Sequence, residues 1–261
     1  MLRNRLIFGL IYSNGDFMQS RNFRLQKVGN ISWLEKNYKF QKISFSLDEL
    51  VVVDATKGSK NIESFSEVVS RLVEDVFIPV AAGGGIRKIE DAELLFKSGA
   101  DKVILNSSLY DNPDLATEII NRYGSQSLVA SLDYKIVDSV PIVHIHDGTK
   151  AVPMSLEAYL LYLGKLGVGE IIFNSIDKDG TGFGFDLENV EKYAKSVNMP
   201  FIIMGGAGNE RHLSSGLSID GVSAVATANL FNFIGNGLPN ARDYMLQHGA
   251  NLACWELNSC C

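Results

Sequence analysis

One pattern recurs at half-molecule spacing, and it narrows the possible folds more than any other feature of this chain. Pro79-Val80-Ala81-Ala82-Gly83-Gly84-Gly85-Ile86-Arg87 leads through a helical periodicity (Ile89, Ala92, Leu95, Phe96) into Gly99-Ala100-Asp101-Lys102-Val103-Ile104-Leu105-Asn106-Ser107-Ser108. Pro200-Phe201-Ile202-Ile203-Met204-Gly205-Gly206-Ala207-Gly208 does the same into Val222-Ser223-Ala224-Val225-Ala226-Thr227-Ala228-Asn229, with the two prolines 121 residues apart. Each copy reads as strand, glycine turn, helix and strand. Self-similarity at that period marks a duplicated half-domain. Glycines just past a strand let backbone come close to a bound group, and amides at the start of the next helix suit a phosphate. A tight turn without a ligand explains one such cluster equally well. Two of them point to a ligand with an anionic group at each end.

The rest of the chain continues the alternation. Strands are expected at residues 6–11, 50–54, 78–82, 102–106, 128–133, 170–175, 201–204 and 224–228. Helical patterns lie between them at 33–40, 62–73, 89–97, 115–123, 156–166, 187–196, 210–217 and 240–248. Eight strands alternating with eight helices, apolar on both strand faces, predict an α/β fold: a single (β/α)8 TIM barrel built from two duplicated half-barrels. An open doubly wound sheet is the competing architecture, and the repeat argues against it. Residues 135–153 form an insert in which Val140-Pro141-Ile142-Val143-His144-Ile145-His146 predicts a small hairpin. Its two histidines have no third ligand in view, so no metal site and no cofactor are expected.

The 261 residues, 46% of them hydrophobic, suffice for one large core. We assign residues 1–249 to the barrel and 250–261 to a C-terminal tail. A net charge of −6 argues against a nucleic-acid partner, while helix N-termini can still hold small anions. No segment has a signal-peptide plan or the ~20 apolar residues of a membrane span, so a cytoplasmic protein with no membrane association is expected. Cys254, Cys260 and Cys261 all fall in the tail, which fits neither a disulfide framework nor a metal site.

In such barrels chemistry sits at the C-terminal ends of the strands. That singles out Asp54, Asp133, Asn174, Ser175, Asp177, Asp179 and the glycine turns. Strand-end carboxylates can move protons when their surroundings tune them, or can simply satisfy loop amides.

Several segments together resemble the cyclase subunit of imidazole glycerol phosphate synthase, the HisF family, along nearly the whole chain. They are Asp48-Glu49-Leu50, Gly83-Gly84-Gly85-Ile86-Arg87, Gly99-Ala100-Asp101-Lys102, Gly124-Ser125-Gln126, Asp177-Lys178-Asp179-Gly180-Thr181 with Gly184-Phe185-Asp186, and Gly205-Gly206-Ala207-Gly208. The sister isomerase shares the duplicated barrel, but the Gly-Ser-Gln and Asp-Gly-Thr segments are similar to the cyclase. The resemblance implies ammonia supplied by a HisH-type glutaminase docked on the N-terminal face of the barrel. That ammonia is added to a bisphosphorylated ribulosyl-formimino-carboxamide nucleotide, giving imidazole glycerol phosphate and an aminoimidazole carboxamide ribotide. It further implies one phosphate site at Gly85, Asn106 and Ser107 and another at Asp179, Gly180, Gly206 and Asn229, where serine is usual. Arg5, Glu49, Lys102 and Glu170 match the ring around the ammonia entrance; a plain buried salt-bridge cluster is the alternative for these four.

The departures cluster on the first half-barrel. The resemblance implies two catalytic aspartates; one is Asp133, while Ile11 stands at the other, leaving Asp54 as the neighbouring carboxylate. Gln19 replaces a lysine, Gly9 a cysteine, Asn174 a threonine and Met204 a serine. Asn22-Phe23 and Val28-Gly29-Asn30 still resemble the family's first loop. Two functions stay open: an ammonia-using synthase or lyase on a phosphate-bearing substrate, in the histidine pathway or altered, and a conduit that passes ammonia to a third, amidotransferase enzyme. Loss of the first aspartate with the floor ring kept resembles a branch that serves amidination of nucleotide-activated sugars for surface glycans.

Overall fold

The computed structural model describes residues 3–38 and 44–254. Twelve strands form one sheet: β1 (Arg5–Ser13), β2 (Asp16–Arg21), β3 (Arg24–Gly29), β4 (Glu49–Asp54), β5 (Val80–Gly83), β6 (Lys102–Leu105), β7 (Leu128–Val137), β8 (Val140–Ile145), β9 (Lys150–Ser155), β10 (Glu170–Ser175), β11 (Phe201–Met204) and β12 (Val222–Thr227). Eight of them, β1, β4, β5, β6, β7, β10, β11 and β12, pair in parallel, and β12 closes on β1 through Arg5↔Ala224 to Phe8↔Thr227. The expected (β/α)8 barrel is what the chain forms.

The helices lie outside the barrel: α1 (Ile31–Tyr38), α2 (Ile62–Asp75), α3 (Ile89–Lys97), α4 (Ser107–Asp111), α5 (Pro113–Tyr123), α6 (Leu156–Leu166), α7 (Leu187–Tyr193), α8 (Glu210–Leu217) and α9 (Gly237–Gln247). Their starts are set locally. The side chains of Asn61, Ser155, Asp186 and Asn209 each accept from a backbone N–H in the first turn of the following helix. Residues 39–40, which the sequence pattern adds to the first helix, and Cys260 and Cys261 lie outside the described residues.

Alternation along the strands builds two cores. Leu6, Phe8 and Leu10 of β1 point outward into the large layer between strands and helices, whereas Ile7, Val51, Ala81, Ile104, Val129, Ile172, Ile202, Ala224 and Ala226 fill the bore. Three alanines among these nine keep the filling thin.

Two features went beyond the sequence expectation. The first βα loop is a hairpin, β2 against β3, entered through Asn14-Gly15 and turned at Asn22-Phe23, with φ of 50° and 90° at the first pair and 50° and 61° at the second. Asn-Gly with left-handed φ at both positions is the signature of a two-residue hairpin turn, so that signal was present in the sequence. The insert is a hairpin as expected, with β7 running on to Val137, turning at Asp138-Ser139 onto β8, and β9 added on its far side. A single-turn helix, α4, stands where the sequence suggested only a polar turn.

The last described residues are held by the barrel: Asn4 N–H donates to the Asn251 carbonyl at 2.8 Å, and Leu252 is buried. Arg242, 4% exposed, donates twice to Asp48 at 2.9 and 3.0 Å and also to the Ala253 carbonyl. Asp48 accepts in turn from the Leu6 backbone at 2.8 Å, so one ion pair joins α9, the tail and the start of β1. Removing one partner of a buried pair strands the other charge. Arg242→Met is expected to lower unfolding free energy by about 3–5 kcal/mol, read from urea denaturation.

Candidate active site

The floor of the barrel is made by the first inward residue of four strands. Arg5 donates to Glu49 at 2.7 Å and to both Glu170 oxygens at 3.1 Å. Lys102 donates to both Glu49 oxygens at 3.0 Å and to Glu170 at 3.2 Å. Each cation thus bridges both anions. Burial pushes the Glu49 carboxyl up, and Lys102 and Arg5 oppose that shift. The structure therefore brings Arg5, Glu49, Lys102 and Glu170 together as one closed ring.

At the opposite end, the mouth holds a cavity of about 580 Å³. Asp133, Asn106, Asn174 and Ser131 converge on it, and Ile11, Val53 and Met204 add apolar surface. Asp133 accepts from Asn106 Nδ2 at 3.0 Å and from Asn174 Nδ2 at 2.9 Å. Burial pushes its carboxyl up to about 7, against the hydrogen bond from Asn174. A carboxyl poised there can both give and take a proton near neutrality. Asn174 Oδ1 is buried without a hydrogen-bond partner. Asp54, also on the wall, accepts from the Thr56 N–H at 2.8 Å, the loop-amide role that the sequence left open.

The first glycine turn opens onto this cavity. Gly84 has φ of 102°, and a β-carbon there would lie 2.2 Å from the Asp54 carbonyl oxygen, so no side chain fits. Lys60 covers Gly85 and donates to the Asp54 carbonyl, and Lys57 and Arg87 join it on the cavity wall. Ser107 Oγ donates to Asn106 Oδ1 and accepts from the His146 N–H at 2.9 Å. His146 also meets Asp111 at 2.7 Å, so the insert hairpin reaches over this corner. Asn106 points its amide at Asp133 and the Ser131 carbonyl. Sequence reasoning missed the lysines of the 57–60 loop, although two cations around Gly58-Ser59 were visible as an anion-binding composition. Among the described residues no group of three His, Cys, Asp or Glu side chains is placed to hold a metal ion.

The second glycine turn is tighter. Its cleft, about 20 Å³, is lined by Gln19, Asp179, Gly180, Gly206 and Asn229 among others. Asp179 accepts from Ser20 Oγ at 2.5 Å and from the Phe23 N–H at 3.0 Å, pinning the tip of the first hairpin across the mouth. Burial raises the Asp179 carboxyl, and those two hydrogen bonds oppose the shift. Gly180 lies so close to Ser20 that a β-carbon would fall 1.9 Å from its carbonyl oxygen.

The family model described as "Histidine biosynthesis protein" matches residues 18–235. A protein of Parasynechococcus marenigrum provisionally named imidazole glycerol phosphate synthase subunit hisF2 is 42% identical over 260 residues, covering 99% of this chain and 97% of the relative. An imidazole glycerol phosphate synthase subunit HisF of Exiguobacterium sibiricum is 34% identical over 97% of this chain and 100% of its own length. One from Pyrobaculum aerophilum is 36% identical over 78% of this chain and 81% of its own length. The chain belongs to the HisF family.

Within that HisF-type barrel, Ile11 and Asp133 line one cavity. Asp133 also sets a pH signature. Its raised value means that the folded state holds a proton that the unfolded chain releases near pH 4. Stability contributed by the protonated form is therefore lost as pH rises from about 4 to about 7. Asp133→Asn removes the penalty, so its stability advantage over wild type should grow by on the order of 2 kcal/mol between about pH 5 and pH 8 in paired denaturant titrations.

Proposed function

We propose that this HisF-type barrel is the synthase-side subunit of a glutamine amidotransferase complex. It takes ammonia from a HisH-type glutaminase at the floor and presents it, at the mouth, to a phosphate-bearing acceptor. The observation that carries the reading is the pairing of a complete floor ring with a half-rebuilt mouth. Arg5, Glu49, Lys102 and Glu170 make every mutual contact such a ring allows, whereas Ile11 removes the second proton carrier opposite Asp133. Ammonia is small and neutral, so it can pass a ring of paired charges that holds back ions. The thin filling of the bore by Ala81, Ala224 and Ala226 lines an apolar path upward.

For the acceptor we propose a nucleotide-activated sugar amidinated for surface glycans, with a third enzyme of the amidotransferase type completing the transfer. Two observations favour it: the missing aspartate, and a greater identity to the relative named hisF2, at 42%, than to the HisF subunits cited above, at 34% and 36%. The histidine-pathway cyclisation is the second reading, favoured by Asp133, whose value near 7 suits acid–base work. In that reading Asp54 or a water supplies the other proton.

The experiment supplies ammonium and the bisphosphorylated ribulosyl nucleotide to the purified chain. Turnover is expected to be slow or absent, and Ile11→Asp to restore part of it, since a positioned acid or base contributes about 10²–10⁴-fold. Brisk wild-type turnover that depends on Asp133 alone would return the chain to the histidine pathway. For the floor, Lys102→Ala is expected to uncouple glutamine hydrolysis in an added glutaminase from ammonia delivery while leaving ligand binding at the mouth unchanged, measured as glutamate formed against ammonia lost to solvent. The two ends are roughly 15–20 Å apart along a strand of five or six residues at ~3.3 Å each.

A further inference from the structure

We infer that the mouth accepts a ligand with one anionic end, because the protein's own Gln19 lines the cleft at the second glycine turn and takes the backbone N–H of Leu230 beside it. Three independent observations carry this. The first is space. The second cleft measures about 20 Å³, against about 580 Å³ at the first. A water molecule takes about 30 Å³ of liquid and needs at least 10–15 Å³ of free room, so the cleft has place for one water and none for a phosphoryl group.

The second is the use of donors. An anion at such a turn binds backbone N–H groups at the start of the following segment. Here the Leu230 N–H donates to Gln19 Oε1 at 2.9 Å, and the Asn229 N–H donates to Thr227 Oγ1 at 3.3 Å. Gln19 Nε2 donates to the Ser20 carbonyl at 3.1 Å, which fixes the carboxamide in that orientation. Asn229 Oδ1, in turn, accepts from the Asn232 N–H at 3.1 Å.

The third is charge. The charged side chain lining the cleft is Asp179. The first turn has Lys57, Lys60 and Arg87 on its cavity wall. Cations to pair with a dianionic group therefore stand at the first turn, where they share the wall with Asp54, Asp111, Asp133 and Asp147, and none lines the second cleft. Gln19 is thereby a specificity-determining residue, selecting singly anchored ligands over bisphosphates.

This inference rests on the reading of the mouth as a phosphate-bearing ligand site, and the test separates the two. Ribose 5-phosphate and ribulose 1,5-bisphosphate are titrated into the full chain by calorimetry. The wild type is expected to bind both within about threefold of each other, while Gln19→Ala and Gln19→Lys bind the bisphosphate about tenfold more tightly than the monophosphate. Circular dichroism of each variant confirms its fold. Wild-type preference of about tenfold or more for the bisphosphate, or variants that keep the wild-type ratio, overturn the role of Gln19 and leave the phosphate site standing. Binding of neither ligand overturns both. Gly85→Val is expected to abolish binding of either ligand, since Gly85 sits at φ of 83°, where a β-branched residue is strained.

Discussion

Closing eight parallel strands into a ring forces the chain to fill its own bore, and the rest of this protein follows from how that filling is layered. Inward side chains stack in layers contributed by alternate strands. At the floor they are two cations and two anions, in the middle they are apolar, mostly isoleucine, valine and alanine, and at the mouth they are both polar and apolar. Because β12 is hydrogen-bonded to β1, an inward residue has no route to solvent except along the axis. Chemistry is confined to the two ends.

The floor ring is held at a stability disadvantage that its own geometry offsets. Glu49 is 2% exposed, so taking its charge out of water is unfavourable by several kcal/mol. Lys102 and Arg5 approach it from both sides, and Glu170 closes the ring. A hydrocarbon filling would serve packing as well. What charges add is a plug fixed in place by six hydrogen bonds.

At the mouth, the two halves of the duplicated barrel have parted company. The first glycine turn keeps open space and cations, whereas the second opens on a narrow cleft lined by Gln19 of the first hairpin. That hairpin is itself held by the second half: Phe23 and Ser20 donate to Asp179, and Asn22 donates to the carbonyls of Ile176 and Asp177. Phe23, at φ of 61°, sits in a backbone region that bulky residues avoid, and the hydrogen bond from its N–H to Asp179 is part of what keeps it there. Ile11, on β1, and Gln19, on β2, both line the mouth from this first part of the chain.

The barrel was legible because its signals are local. Strand-length apolar runs, helical periodicity and glycine turns are read from neighbours in the chain, and the expected strand at residues 170–175 and helices at 89–97, 156–166 and 210–217 match the structure residue for residue. The hairpin of β2 and β3 escaped because its strands are partly exposed and only weakly alternating, although Asn14-Gly15 announced its turn. The floor ring was named from the family resemblance, but its identity as a closed ring needed Glu170 to reach Arg5 across 165 positions. By itself the sequence determined the duplicated barrel, the two glycine turns, the four floor residues and the absence of an acid at position 11. Only the tertiary structure decided that Asn106 turns toward Asp133, that Lys60 covers the first turn and that Gln19 reaches Leu230 beside the second. Those outcomes depend on contacts such as Gln19 with Leu230, 211 residues apart. No periodicity encodes a hydrogen bond whose partners meet only after the ring has closed.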